Sequence, residues 1–135
     1  MTSPSSLSAL TLCVWNAQGV AGKKLELLNS IDDNQDDIML ITETHLSESR
    51  NFSVPNYDVY RSDRTRGKGS GAMILIKQCI PSCYKEHSND NLYEYVTITT
   101  KLNKYGKINI TCIYNPPRNI IPPAEFMNIF KQNEK

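Results

Sequence analysis

Three polar side chains stand where apolar runs stop. Asn16 ends the run Leu10-Thr-Leu-Cys-Val-Trp15, Glu43 follows Ile38-Met-Leu-Ile41-Thr42, and Tyr114 closes Ile108-Asn-Ile-Thr-Cys-Ile-Tyr114. Polar groups at strand ends converge when their strands are neighbours in a sheet, and ligands bind where strand ends meet loops. The three types suit phosphate chemistry. Glu43 is a hard oxygen ligand of the kind magnesium takes, one or two per ion with waters completing the shell. Asn16 could hold a phosphate oxygen or a carboxylate, and Tyr114 could donate a hydrogen bond to phosphate. Each also has a plainer reading. Glu43 could meet solvent as an ordinary strand end, Asn16 could form a turn, and Tyr114 could be half-buried structure.

A second cluster is cationic. Arg61, Arg64, Arg66 and Lys68 lie in a connection with Gly67, Gly69 and Gly71. Positive charge on a glycine-rich loop suits contact with a nucleic-acid backbone, and equally a solvated loop. Residues 1–60 carry 3 basic against 8 acidic side chains, and residues 61–135 carry 12 against 6. The net charge of +1 therefore hides an asymmetry. The two histidines have no metal-binding spacing: His45 lies near Glu43, and His87 sits in a polar stretch. The four cysteines (Cys13, Cys79, Cys83, Cys112) are scattered. They read as reduced thiols of an intracellular protein, nuclear or cytoplasmic, and not as a disulfide or zinc framework.

The elements that would position these groups follow from periodicity. Leu10, Leu12 and Val14 alternate with Thr11, Cys13 and Trp15, which predicts a strand with one apolar face. Leu27, Leu28 and Ile31 recur at helical spacing within Lys23 to Asp33. Ile38–Ile41 and Ala72–Ile76 are apolar on both faces and predict central strands covered on both sides. Tyr57–Tyr60 is a short strand, and 80–92 reads as loop with at most an edge segment. Residues 94–114 alternate around Asn103-Lys-Tyr-Gly-Lys107 and predict a β-hairpin. Pro122-Pro123 opens a last helix carrying Phe126, Ile129 and Phe130. Residues 1–9 form a polar, mobile lead, and 135 residues suit one domain. No run of 18 apolar residues is present, so no membrane helix is expected.

The local strings are more specific than their composition. Val14-Trp15-Asn16-Ala17-Gln18-Gly19, then Asp37-Ile-Met-Leu-Ile-Thr-Glu43-Thr44-His45, resembles the opening of the endonuclease/exonuclease/phosphatase superfamily. Phe52-Ser-Val-Pro-Asn-Tyr57-Asp-Val-Tyr60-Arg61-Ser-Asp63-Arg64, Gly67-Lys-Gly-Ser-Gly71-Ala-Met-Ile-Leu-Ile-Lys77 and Ile113-Tyr114-Asn-Pro-Pro117 resemble the endonuclease domain of non-LTR (LINE-class) retrotransposons. The resemblance runs from about Leu10 to Phe130. It implies a four-layer α/β sandwich, with two mostly antiparallel sheets face to face and helices outside. It implies magnesium-dependent phosphodiester hydrolysis with DNA as partner. Residue by residue, Glu43 matches the metal-binding glutamate, Asn16 the first active-site asparagine, and Tyr114 the tyrosine at the scissile phosphate. Arg61, Arg64, Arg66 and Lys68 are expected DNA-backbone contacts without a fixed family role.

The departures shape the functional expectation. The family's later Gly-Asp-x-Asn and Ser-Asp-His motifs, which orient the nucleophile and do acid–base work, do not occur here. Gln18 stands where the family often has an acidic or amide residue two after the asparagine. Residues 10–135 thus correspond to the N-terminal half of such a domain, expected to be truncated and inactive alone. An uncovered sheet face would favour association. The alternatives are a non-catalytic nucleic-acid- or protein-binding remnant, or another phosphoesterase branch of the superfamily.

Overall fold

A computed structural model describes residues 10–63, 70–88, 93–102 and 106–115. The helix expected after Pro122-Pro123, the lead over 1–9, and Arg64, Arg66 and Lys68 lie outside the described residues.

The central strands form where both faces of the chain are apolar. β2 (Ile38–Thr42) and β4 (Ala72–Lys77) pair antiparallel, with Leu40 opposite Ile74. β1 (Leu12–Asn16) runs parallel to β2, with Asn16 opposite Thr42. β3 (Tyr57–Ser62) runs antiparallel to β4 on the other side. The first sheet therefore has the order β1-β2-β4-β3. The parallel β1–β2 pair needs a crossover, and α1 (Lys24–Asn34) supplies it, entered through a 3₁₀ turn at Ala21–Lys23. α1 ends where Gln35 takes a left-handed conformation (φ 54°) and donates its N–H to the Ile31 carbonyl at 2.8 Å.

A second, antiparallel sheet has the order β5-β6-β7. β6 (Glu94–Leu102) and β7 (Gly106–Tyr114) are the expected hairpin, with Ile98 opposite Ile110 and Glu94 opposite Tyr114. β5 (Ser82–Ser88) is a full strand where the sequence reads mostly as loop. Its polar residues do not alternate because it lies at an edge, with a register break between Tyr84 and Glu86.

The alternation within β2 and β4 sorts the core into two layers. Met39, Ile41, Met73 and Leu75 face Leu27, Leu28 and Ile31 of α1, joined by Leu46, Val54 and Tyr57. Ile38, Ala72, Ile74 and Ile76 face Val96, Ile98 and Cys112 of the second sheet. Burying each such aliphatic side chain contributes about 1.5–3 kcal/mol. The described residues therefore stack as helix, sheet and sheet, a partial α/β sandwich. β1 is covered least: Leu12 and Val14 remain 55% and 74% exposed.

Candidate active site

Backbone hydrogen bonds continue past the strand ends at one edge of the first sheet. Ala17 N–H donates to Thr42 O (2.9 Å), Gly19 N–H to Glu43 O (2.8 Å) and Val20 N–H to Thr44 O (3.0 Å). From the other side, Glu43 N–H donates to Gly71 O and His45 N–H to Ser70 O, both at 2.9 Å. Three connections, after β1, after β2 and before β4, are thus stitched into one platform.

The platform is conformationally unusual. Gln18, Gly19, Glu43, His45, Ser70 and Gly71 all have positive φ. For residues other than glycine such conformations cost about 1–3 kcal/mol each and persist where the surroundings over-determine them, which is common at functional sites. Gly71 (φ +107°) is sterically required as well. A Cβ there would stand 2.3 Å from Thr44 Oγ1.

Asn16 and Glu43 meet on this platform. Asn16 Nδ2 donates to Glu43 Oε2 at 3.1 Å. The other carboxylate oxygen, Oε1, lies 4.0 Å from Nε2 of His45, and the Glu43 side chain is 20% exposed. The carboxylate therefore reaches solvent while one oxygen is oriented by an amide. Its left-handed backbone turns the chain away from the ladder at the point where the side chain must face out.

Tyr114 belongs to the second sheet, and β7 lies against β2 and β4. The Cys112 thiol donates to the Ile41 carbonyl at 3.6 Å, so the residues two before Tyr114 and two before Glu43 touch. Tyr114 is also the cross-strand neighbour of Glu94, whose Oε1 accepts the Gly71 N–H at 3.1 Å. All three expected site residues thus lie at the same end of the two sheets, with Asn16 and Glu43 in direct contact. Burial of the Cys112 thiol pushes its pKa up to about 11.

Arg61 is engaged within the fold. Its guanidinium meets the Asp63 carboxylate at 2.8 Å and donates to Ser47 O at 2.7 Å. Glu94, fully buried, and Ser70 and Thr44, also buried, belong to the platform but carry no local sequence signal. Only Gly71 announces itself, as the last glycine of the cationic connection. No group of three or more His, Cys, Asp or Glu residues able to hold a metal occurs among the described residues. One carboxylate with an orienting amide is a hard-oxygen set that fits magnesium, which needs few protein ligands, and does not fit a zinc site. Among the described residues no helix is long and apolar enough to cross a membrane.

The profile of the Endonuclease/Exonuclease/phosphatase family matches residues 13–132. The RNA-directed DNA polymerase from mobile element jockey of Drosophila melanogaster is 27% identical over 133 residues, 96% of this chain and 14% of that protein. The probable RNA-directed DNA polymerase from transposon X-element of the same species is 26% identical over 131 residues, 91% of this chain and 14% of that protein. Among solved structures, an endonuclease/exonuclease/phosphatase family protein from Leptotrichia buccalis superposes with a TM-score of 0.67 at 12% identity, over 94% of this chain and 62% of that one. The 3′ phosphatase NExo from Neisseria bound to product DNA hairpin gives 0.58 at 14% identity, over 91% and 48%. The catalytic domain of Xenopus laevis APE2 gives 0.58 at 15% identity, over 92% and 50%. At these identities the structural likeness speaks for the fold alone. The chain spans 14% of the curated relatives' length and about half to three fifths of the solved structures.

Proposed function

The chain belongs to the endonuclease/exonuclease/phosphatase family, and from that premise we propose that it forms the metal-binding half of a retrotransposon-type DNA phosphodiesterase site. The observation that carries this reading is the Asn16–Glu43 hydrogen bond on a platform of left-handed backbone. Glu43 is the residue that would hold a magnesium ion. Such an ion supplies neutralisation of the charge that develops on a phosphodiester under attack.

The remaining roles fall to the chain's own groups. Asn16 holds one Glu43 oxygen in place, which leaves Oε1 for the ion. The Tyr114 phenol donates a hydrogen bond to a phosphate oxygen at the same end of the sheets. Arg64, Arg66 and Lys68 add backbone contacts to DNA. Arg61 contributes less, because Asp63 already neutralises it.

The Ser-Asp-His motif that does acid–base work in the family does not occur in these 135 residues. The sequence holds two histidines, and neither follows a Ser-Asp pair. The reading therefore gives the chain by itself metal and DNA binding without turnover, at an intracellular location where DNA is present. The test is nicking of supercoiled and abasic-site DNA with magnesium or chelator, beside Glu43→Ala, with DNA binding followed across salt. Salt-dependent binding without nicking supports it. Magnesium-dependent nicking that Glu43→Ala abolishes overturns the inactivity and keeps the site. A 3′-phosphorylated oligonucleotide in the same assay tests the alternative phosphoesterase branch.

A further inference from the structure

Glu94 is fully buried, and its carboxylate has no cationic partner among the described residues. A buried carboxylate is costly unless hydrogen bonds satisfy it. Here Oε1 accepts the Gly71 N–H at 3.1 Å, while Oε2 has no hydrogen-bond partner among the described residues. A side chain held at that cost serves something other than packing.

The Gly71 peptide shows what it serves. Glu94 holds the Gly71 N–H, and the Gly71 carbonyl accepts the Glu43 N–H at 2.9 Å. The adjoining Ser70 carbonyl accepts the His45 N–H at 2.9 Å. Residues 70–71 are therefore the template on which the left-handed turns at Glu43 (φ 54°) and His45 (φ 56°) are laid. That template belongs to the first sheet, and Glu94 reaches it from the second. Glu94 is also directly opposite Tyr114 in the β6–β7 ladder. One side chain thus links the strand opposite Tyr114 to the peptide that holds the Glu43 N–H.

We propose that Glu94 is a positioning residue: by gripping the Gly71 amide it holds the Glu43 carboxylate at a set distance from Tyr114 across the two sheets. This rests on the reading of Glu43 as the metal ligand. Glu94 touches neither substrate nor metal. It acts through the Gly71 peptide.

The test uses the full 135-residue chain, isotopically labelled, as wild type, Glu94→Gln, Glu94→Ala and Thr100→Val. Thr100 is buried and donates to the Pro81 carbonyl. Its variant therefore reports what general destabilisation does. In Glu94→Ala the Gly71, Glu43 and His45 amides are expected to exchange with solvent about tenfold faster than in Thr100→Val, relative to the Ile74 amide of each variant. Glu94→Gln keeps an acceptor and restores protection to within about threefold of wild type. Mn2+ titrated onto the same samples is expected to bind about tenfold more weakly to Glu94→Ala and near wild-type strength to Glu94→Gln and Thr100→Val.

Unchanged Glu43 and His45 exchange in folded Glu94→Ala overturns the proposal. If Glu94→Ala does not fold, Glu94→Gln decides. Glu43 and His45 amide resonances that move together with that of Gly71 in Glu94→Gln support the proposal, and a change confined to Gly71 overturns it. Failure of wild type to bind Mn2+ overturns the metal reading of Glu43 instead, and the exchange data still judge Glu94.

Discussion

Asn16 donates an amide N–H to the carboxylate of Glu43 at 3.1 Å, across 27 residues of sequence. The bond exists because β1 and β2 are parallel neighbours with Asn16 opposite Thr42, so both strands deliver their last polar residue to one edge. Glu43→Ala removes the proposed ligand and is expected to abolish saturable Mn2+ binding. Asn16→Ala leaves the carboxylate but frees its rotamer, and is expected to weaken binding by about tenfold. Isothermal titration of the two folded variants checks both. Equal losses would contradict the division of labour between ligand and orienting group.

The platform behind that pair depends on glycine at position 71. Alanine there meets both a left-handed backbone and the Thr44 hydroxyl. Gly71→Ala is expected to destabilise by more than about 2 kcal/mol. Gly106 has φ +71° but no described residue within 4 Å of an added Cβ. Gly106→Ala should therefore cost about 1 kcal/mol. Urea titration of the two variants separates steric contact from backbone conformation.

Two β-branched residues of similar size report where the core is. Ile74 is fully buried between the sheets, and Val14 is 74% exposed on β1. Ile74→Ala is expected to cost about 2–5 kcal/mol, and Val14→Ala no more than about 0.5 kcal/mol. Thermal unfolding measures both. A large loss at Val14 would mean that something covers β1 in solution.

The thiols should divide by burial. Cys79 and Cys83 are exposed, and Cys112 is buried with its pKa near 11. At pH 8 a maleimide is expected to label Cys79 and Cys83 promptly and Cys112 only on unfolding. The ordinary value is 9.0, so burial raises the folded-state pKa. Below about pH 9 both states keep the proton, and stability is unaffected. As pH rises from about 9 towards 11 the unfolded thiol ionises first, so this group's contribution to stability is lost over that window. Cys112→Ala should flatten the alkaline limb of the stability profile.

Much of the fold was legible in the sequence because side-chain periodicity is local. Ile38–Ile41 and Ala72–Ile76 are apolar at every position, a pattern that suits a short strand covered on both faces. They became β2 and β4, the centre of the first sheet. The hairpin over 94–114 was legible for the same reason, and so were the strand ends at Asn16, just before Glu43 and at Tyr114. β5 was not, since an edge strand with one bulge needs no alternation.

Strand order is another matter. Whether β1 lies beside β2, or β4 between β2 and β3, depends on contacts between residues far apart in the chain, which no local pattern encodes. That arrangement set the Asn16–Glu43 bond, turned Arg61 onto Asp63, and brought Glu94 of the second sheet to the Gly71 amide of the first. The amino-acid sequence by itself determined which residues end the strands. Only the tertiary structure decided which of those ends meet, because hydrogen-bond partners across sheets are chosen by packing.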